Sequence, residues 1–346
     1  MWNEVLNRLD RVKTPQRAIE SWGGLAGSCV LVNHGINSVY RFLSQGQHYY
    51  LRIAHGQLRH EAELLASMAF QRYLWVHQVP VCEPIPARSG AWVVALDQGE
   101  DIFLAHVCKA VPGSALQFDH QDSQVYINWG KALGAFHRVA TQYAPGIHHY
   151  TDWHQSLDEL QGYAHLESTV IQEELTQVTA HFFQCPQTPH LYGLNHGDHR
   201  EANVLSEKRQ IHFIDFDLPC YHWFMSDFSR PFFQSIVQGD VRWTQHFHAY
   251  LSGYQSVMPL SQEVLHEFSW HIRMKLLEIY LWTKNNFEPS ASLPGAETSV
   301  GQCSMAQLQK AIVDQTWMLA VDQVIFRKSM CKDFPFFYQD ECLKSI

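Results

Sequence analysis

The hydrophobic pattern changes character once along this chain, at Pro112-Gly113, and this change constrains the fold most. Before the pair, short β-rich runs surround a single stretch with helical spacing. After it, apolar residues recur every three to four positions over long stretches, which is typical of amphipathic helices. Pro-Gly is strong local punctuation. We therefore predict an α+β chain with two lobes, a small β-rich lobe at residues 1–110 and a larger helical lobe at residues 111–346.

The first lobe is predicted to be a β-sheet with one main helix. Residues 57–73 carry apolar side chains at helical spacing and predict that helix. Gln45-Gly46 marks a turn between two β-rich runs, which is typical of a hairpin. The β-rich runs lie at residues 29–43, 48–53, 92–96 and 102–108.

The second lobe begins with a clear amphipathic helix at residues 125–140, which Asp122 or Ser123 could cap. Another helix is expected within residues 155–183. Short β-like pieces lie at residues 190–194 and 211–216.

The last third of the chain, residues 241–326, is expected to be mostly helical. Residues 262–284 are apolar on two sides, which predicts a buried helix. Residues 288–301 contain two prolines and several serines and predict a loop.

Two carboxylates and an amide lie at the ends of short apolar runs, and they are the residues most suited to chemistry. Asp198 could orient a hydroxyl group and accept its proton. Asn203 lies five residues later and Asp215 ends the next apolar run. Their oxygens are the hard ligands that Mg²⁺ accepts, with waters and phosphate oxygens completing its shell. Phosphoryl transfer needs little beyond such positioning and charge neutralisation.

The pattern His-x-Asp-x-x-x-x-Asn, formed here by His196, Asp198 and Asn203 and followed by a strand ending in Asp215, resembles the aminoglycoside phosphotransferase family. Choline kinases, type II homoserine kinases and some bacterial stress-response protein kinases belong to the same family. The resemblance implies the bilobal protein-kinase-like fold. It also implies that Asp198 is the catalytic base, that Asn203 and Asp215 ligate the metal, and that His196 supports the catalytic loop structurally.

Weaker matches occur in the same order as in the family. They imply a nucleotide-covering hairpin, a phosphate-binding cation paired with a helix Glu, and a link between lobes that meets adenine. The residues implied for nucleotide binding are Asn37, Ser38, Arg52, Glu61, Lys109 and Val111. Arg52 replaces the usual Lys and keeps its charge with a different geometry. Asp227 would support the catalytic loop, and Asp217 could be a second metal contact, a substrate contact or a surface acid.

These residues together predict a kinase that uses ATP and Mg²⁺ and acts on a hydroxyl group of a small molecule, such as an amino alcohol, a sugar or an aminoglycoside. A protein Ser/Thr kinase would use the same residues, but only about a dozen positions separate Asp215 from Asp227, which favours a small acceptor. A non-catalytic nucleotide-binding protein is the third alternative. The pattern is compatible with ATP or GTP and with any oligomeric state.

Composition excludes several other classes of protein. The net charge is -9, and Lys and Arg form no basic run, which disfavours nucleic-acid binding. No segment approaches the roughly 18 apolar residues of a membrane span, and none matches a signal peptide, so we expect a cytoplasmic protein. The eight cysteines lack Cys-x-x-Cys spacing and are expected to be reduced thiols. The 22 histidines show no zinc-binding spacing.

Overall fold

The computed structural model of the chain describes residues 2–116, 122–286 and 303–330. We call residues 2–110 the small lobe and the rest the large lobe. The strands of the small lobe are β1 (Val30–His34), β2 (Asn37–Ser44), β3 (Gln47–His55), β4 (Pro84–Ile85), β5 (Val94–Gln98) and β6 (Asp101–Lys109). Its helices are α1 (Trp2–Leu6), α2 (Lys13–Ala18) and α3 (Glu61–Val76).

The described part of the large lobe is mostly helical. Its helices are α4 (Ser123–Ala140), α5 (Trp153–Ala164), α6 (Thr169–Phe182), α7 (Phe224–Ser229), α8 (Phe233–Gln238), α9 (Trp243–Gln255), α10 (Gln262–His266), α11 (Phe268–Asn286), α12 (Met305–Asp314) and α13 (Trp317–Met330). Its strands are β7 (Ser114–Ala115), β8 (Thr151–Asp152), β9 (Tyr192–Asn195), β10 (Val204–Glu207), β11 (Gln210–Phe213) and β12 (Cys220–Trp223). The α+β composition agrees with the prediction.

The small lobe is one antiparallel sheet in the order β1-β2-β3-β6-β4, with β5 also paired to β6. The hairpin of β2 and β3 forms around the predicted turn. Its register places Arg52 between Val39 of β2 and His106 of β6. Alternate residues of β2 and β3 are buried, among them Tyr40 and Leu51, because one face of the sheet covers the small-lobe core. This register fixes where the Arg52 side chain leaves the sheet.

Helix α3 begins at Glu61, four residues after its predicted start. The backbone N–H of His60 donates to the Glu63 carboxylate at 3.1 Å, which stabilises the helix end there. The later turns of α3 bury Phe70 and Leu74 in the core of the large lobe. The helix therefore belongs to the small lobe by sequence and to both lobes by packing.

Residues 110–113 link the lobes, and β7 follows them to pair with β10. Gly113 has φ +111° and lies against Ser206, where a Cβ would be 2.6 Å from the backbone carbon and oxygen. Only glycine fits this backbone conformation and this close approach. The Pro112-Gly113 pair thus brings the chain onto the sheet of β7, β10 and β11.

Helix α4 begins where the Asp122 carboxylate accepts a hydrogen bond from the Gln124 N–H at 3.0 Å, as an N-cap does. Its apolar face is buried as predicted. The helix packs closely on α9, since a Cβ on Gly130 would lie 1.9 Å from the Tyr250 carbonyl oxygen. This close pair forms the centre of the large lobe.

The helix expected within residues 155–183 agrees with the structure, which has two helices there, α5 and α6, separated at residues 165–168. One helix prediction needs correction. Residues 262–284 form α10 and α11 rather than one helix, and the two meet at Glu267. Periodicity continues across both breaks because each pair of helices packs on the same core. The predicted loop at residues 288–301 lies outside the described residues.

The six described cysteines are free thiols, as expected, and Cys82 and Cys108 are buried. Cys331 and Cys342 lie outside the described residues. Within the described part of the chain, no helix is both long and apolar enough to cross a membrane.

Candidate active site

The loop after β9 carries Asp198 and ends in a short 3-10 turn that leads into β10. Three side chains donate four hydrogen bonds to its carboxylate or backbone. Arg200 Nε lies 3.1 Å from Oδ2, and Arg230 donates from a terminal nitrogen to Oδ1 at 3.0 Å. The Asn203 Nδ2 group donates both to Oδ2 at 3.0 Å and to the Asp198 carbonyl at 2.8 Å. The carboxylate is therefore fixed in direction.

Asp198 is ionised despite its burial. Burial raises the pKa of a carboxyl group, but the charges of Arg230 and Arg200 outweigh it here and lower the pKa of Asp198 to about 2. The carboxylate is consequently charged across the physiological pH range, as a proton acceptor must be.

Asn203 is 5% exposed and connects the loop of Asp198 to the loop of Asp215. Its carbonyl accepts from the Ile214 N–H at 3.0 Å, one residue before Asp215. Both recorded hydrogen bonds of its side chain use Nδ2, so Oδ1 is the atom that remains for a metal. The structure thus brings Asp198, Asn203 and Asp215 together.

Asp215 follows β11 with φ +70°, a conformation that Asp and Asn adopt more readily than most residues. Arg52 donates from one terminal nitrogen to its Oδ1 at 2.8 Å and to Asp217 Oδ2 at 2.5 Å. Asp217 also accepts from the Asn37 side chain and lies 3.8 Å from His106 Nε2. Three small-lobe residues therefore meet two large-lobe acids.

The pairing of Arg52 differs from the expectation that it would pair with Glu61. Glu61 is exposed at the first turn of α3, whereas the recorded ion-pair partners of Arg52 are Asp215 and Asp217. The guanidinium gains more from the buried Asp217 and the half-buried Asp215 than it would from one exposed carboxylate, because charges attract more strongly away from water. Asp217 is 8% exposed, so the alternative of a surface acid is wrong.

The two acids differ in how strongly they hold their charge. Burial raises the pKa of Asp215, and the neighbouring Asp217 and Asp198 add to this rise although Arg52 opposes it. Burial acts on Asp217 as well, but Arg52 and His106 outweigh it and lower its pKa. A bound cation would therefore stabilise the ionised form of Asp215 more than that of Asp217.

Asp227 of α7 bonds to the backbone of the loop after β9. Its carboxylate accepts from the His196 N–H at 2.6 Å and the Gly197 N–H at 3.1 Å, with His137 Nε2 at 3.4 Å. Burial opposes the charge, but the hydrogen bond and the charge of His137, followed by the charges of His199 and His196, hold the pKa of Asp227 well below its usual range. The fully buried His196 ring lies 3.0 Å from the Ile214 carbonyl, so it joins the two loops.

The remaining residues predicted for nucleotide binding lie in β2, at the end of β6 and in the link between the lobes. Ser38 is buried beside Asn37 and its Oγ lies 2.8 Å from His34 Nδ1. The Lys109 N–H is used within the protein, since it donates to the Glu83 carbonyl at 2.8 Å. Val111 packs with Ile214 against the buried cluster of Met68, Cys82 and Cys108.

A cavity of about 450 Å³ lies at the link between the lobes, on the side of the end of α3. Lys109 and Val111 line it together with Trp75 and Val79, but Arg52 and Asp215 do not. The cavity is therefore separate from the charged group described above.

The sequence did not identify Arg230 or His106 as residues of the candidate site. Arg230 follows Asp227 at i+3, a helical spacing that places both on one side of a turn, but nothing in the sequence indicates that it reaches Asp198. His106 lies opposite Arg52 in the sheet, and only the strand register shows this. Spacing within one segment cannot reveal contacts between segments.

A sequence model of the phosphotransferase enzyme family matches residues 29–260, from the hairpin to the end of α9. The chain belongs to this family. The predicted resemblance and the prediction of a phosphotransferase enzyme are thereby confirmed. The matched residues include Asp198, Asn203, Asp215 and Asp227.

Members of this family and of this fold are similar to the chain at low identity. Amicoumacin kinase of Bacillus subtilis (strain 168) is 24% identical over 198 residues, which cover 56% of this chain and 59% of that protein. The match therefore spans less than two thirds of that kinase.

Solved structures confirm the kinase-like fold. The amicoumacin kinase hAmiN in complex with AMP-PNP, Ca²⁺ and Ami superposes with a TM-score of 0.78 and 23% identity, covering 91% of this chain and 97% of that chain. A microcompartment-associated aminopropanol kinase gives a TM-score of 0.72 and 18% identity, covering 88% and 97% of the two chains.

Proposed function

We propose that this phosphotransferase moves the γ-phosphoryl group of ATP to a hydroxyl group of a small molecule, with Asp198 as the base and with Asn203 and Asp215 holding Mg²⁺. The observation that carries the proposal is the joined group of these three residues. Asn203 bonds to Asp198 through its side chain and to Ile214 through its backbone, so the base and the metal ligands form one unit.

Asp198 accepts the proton of the acceptor hydroxyl. Its pKa of about 2 makes it a weak base at equilibrium, so its main contribution is to orient the hydroxyl and to take the proton as the new phosphate bond forms. Arg200 and Arg230 hold the carboxylate in position while this happens.

The donor set fits a hard divalent cation. Asn203 offers an amide oxygen, and Asp215 offers a carboxylate. The pKa of this carboxylate is raised by burial despite its contact with Arg52, so a cation would stabilise its charge. Magnesium commonly takes one or two carboxylates and fills its shell with water and phosphate oxygens. When bound, Mg²⁺ would supply charge neutralisation for the β- and γ-phosphates.

The nucleotide would lie between the lobes. Arg52 would hold phosphate oxygens, Asn37 and Ser38 of the hairpin would cover them, and the adenine base would lie near Lys109 and Val111. The packing of Val111 beside Ile214, next to Asp215, supports this order because it places an apolar surface beside the charged one. Glu61 remains a proposed contributor only if α3 moves towards Arg52.

A small acceptor is favoured over a protein acceptor. The segment between Asp215 and Asp227 folds into β12, which pairs with β9 and β8 and leaves little chain for an activation segment. The similar proteins named above include kinases of amicoumacin and of aminopropanol, and we therefore place an amine-bearing alcohol first among the acceptors.

The proposal is tested by measuring phosphate transfer from ATP with Mg²⁺ to a panel of amino alcohols, sugars and aminoglycosides, with the product identified by ³¹P NMR. Asp215→Asn should lower turnover by roughly 10² or more because a metal ligand loses its charge. Asn is preferred to Ala because it tolerates φ +70°. Asp240→Asn, which changes a half-buried acid paired with Arg242, is the control and should keep parental turnover. Parental turnover in Asp215→Asn would refute the metal assignment.

A further inference from the structure

A second group of ligand-type side chains lies in the large lobe, apart from the catalytic loop. His181 is in the last turn of α6, Cys185 follows four residues later, and Glu267 lies at the junction of α10 and α11. His181 Nε2 is 2.5 Å from Glu267 Oε2, and Cys185 Sγ is 3.4 Å from that nitrogen and 3.6 Å from that oxygen. A nitrogen, a sulfur and an oxygen donor therefore form a small triangle.

The size of this triangle matches a tetrahedral metal site on two of its sides. With metal–ligand bonds of about 2.0–2.3 Å, tetrahedral Zn²⁺ separates its nitrogen, sulfur and oxygen ligands by about 3.4–3.6 Å. The two separations from Cys185 already have these values. The His181–Glu267 separation would have to open by about 1 Å, which a rotation of the half-exposed carboxylate can provide.

A cavity of about 170 Å³ lies beside the triangle and is lined by Cys185, Glu267 and His271. His271 is one turn after Glu267 and only 4% exposed, and its Nδ1 has no hydrogen-bond partner among the described residues. An unpartnered polar atom in a buried ring is costly unless something binds it. The cavity thus offers both space and a further polar atom next to the three donors.

The His181 ring is held in place by packing. It stacks on Trp270 with ring centroids 3.9 Å apart and planes at 4°. The Arg273 guanidinium lies 4.0 Å from the other ring of this stack, Trp270, and is fixed by two bonds to Glu174 at 2.6 and 2.7 Å. This packing limits rotation of the His181 ring.

We propose that His181, Cys185 and Glu267 bind one divalent cation of the Zn²⁺ class, with the fourth position open to the cavity beside His271. A thiolate and an imidazole select Zn²⁺ over Mg²⁺ or Ca²⁺, so the site is distinct from the magnesium site proposed for phosphoryl transfer. The cation joins the end of α6 to the start of α11.

The test uses the full chain, stripped of metal with a chelator and titrated with Zn²⁺ or Co²⁺. The parent should take up one equivalent, with a thiolate-to-Co²⁺ charge-transfer absorption, and its Zn²⁺ affinity is measured by competition with a chromogenic chelator. Cys185→Ser should lose the absorption and lower the affinity by about 100-fold or more, beyond the roughly 10–100-fold effect of losing an outer contact. Cys303→Ser, which removes another half-buried thiol of the same lobe, should match the parent.

Glu267→Gln provides a second variant that retains the thiol. It should keep the thiolate absorption but weaken Zn²⁺ binding, and its far-UV circular dichroism without metal should match the parent. If Cys185→Ser does not fold, Glu267→Gln decides, and unchanged affinity there overturns the site. A parent that takes up no Zn²⁺, or a folded Cys185→Ser that keeps the Co²⁺ absorption, overturns it as well.

Discussion

Asp198 keeps its charge in a buried position because Arg200, Arg230 and Asn203 each bond to its carboxylate. Both arginines are themselves partly buried, so the group is a compensated set rather than an isolated acid. A neutral residue of the same shape would keep most of these contacts and lose the ability to accept a proton. Such a replacement would therefore distinguish proton acceptance by Asp198 from its part in holding the loop together.

We expect Asp198→Asn to bind Mg-ATP nearly as well as the parent, while transfer to the acceptor slows by about 10²–10⁴ because proton acceptance is lost. Nucleotide affinity is measured by calorimetry and turnover with an accepted hydroxyl substrate. Asp240→Asn again serves as the control. An equal fall in affinity and turnover would instead assign Asp198 a structural role, and unchanged turnover would move the base to another residue.

Arg52 is the second residue whose replacement is informative, because it compensates the buried Asp217 and the half-buried Asp215 at once. Arg52→Ala should weaken nucleotide binding and also lower the free energy of unfolding by about 3–5 kcal/mol, since Asp215 and Asp217 lose their partner. Arg52→Lys should restore part of both, because the charge remains and the planar fork is lost. Urea denaturation and nucleotide calorimetry measure the two effects, and unchanged nucleotide affinity in Arg52→Ala would place the phosphate cation elsewhere.

At the scale of elements, Asp227 connects helix α7 to the loop after β9. Its carboxylate accepts two backbone N–H groups of that loop, and α7 in turn leads to Arg230, which bonds to Asp198. The position of Asp198, the proposed base, therefore depends on a helix that does not contain it.

The depressed pKa of Asp227 gives a pH-dependent prediction. A carboxyl group whose folded pKa lies below its ordinary 3.8 stabilises the fold above that value, and the contribution disappears as the pH falls through the folded pKa. Asp227→Asn should therefore lower the free energy of unfolding by about 2 kcal/mol at pH 7. Urea denaturation between pH 7 and pH 3 should show the gap from the parent shrinking below about pH 4. A gap that grows on acidification would contradict the assignment.

The sequence predicted the elements well where one segment determines them. The β2–β3 hairpin, helix α4 with its Asp122 cap and the spacing of Asp198 and Asn203 are local patterns. The partners of Arg52 could not be predicted, because a guanidinium on β3 meets Asp217 only through the arrangement of two lobes. The break at Glu267 was also missed, since both helices around it bury the same apolar face.

At the scale of the whole molecule, α3 makes the two lobes depend on each other. Phe70 is fully buried and its ring lies 5.7 Å from Phe136 of α4, edge to face. The Tyr150 hydroxyl donates to the Ala66 carbonyl of the same helix at 2.8 Å. The core of the large lobe thus continues into the small lobe on one side of the link.

Phe70→Ala should therefore destabilise the whole chain by about 3–5 kcal/mol, as is typical for a buried aromatic side chain. Urea unfolding followed by tryptophan fluorescence and by circular dichroism should remain a single coincident transition. Ile147→Ala, at a side chain that is 87% exposed, is the control and should change stability by less than about 0.5 kcal/mol. Separate transitions of the two probes in the parent would show that the lobes unfold independently.

The contact of Arg52 with Asp215 and Asp217 has a thermodynamic consequence for ligand binding. The two acids compete with phosphate oxygens for the Arg52 guanidinium. Because the acids belong to the same chain, their effective concentration at the guanidinium is high. A triphosphate that takes the guanidinium leaves Asp215 available to a cation, and a cation that takes Asp215 leaves the guanidinium available to the triphosphate. Because such coupling is reciprocal, nucleotide and metal are each expected to bind weakly alone and to strengthen one another when both are present.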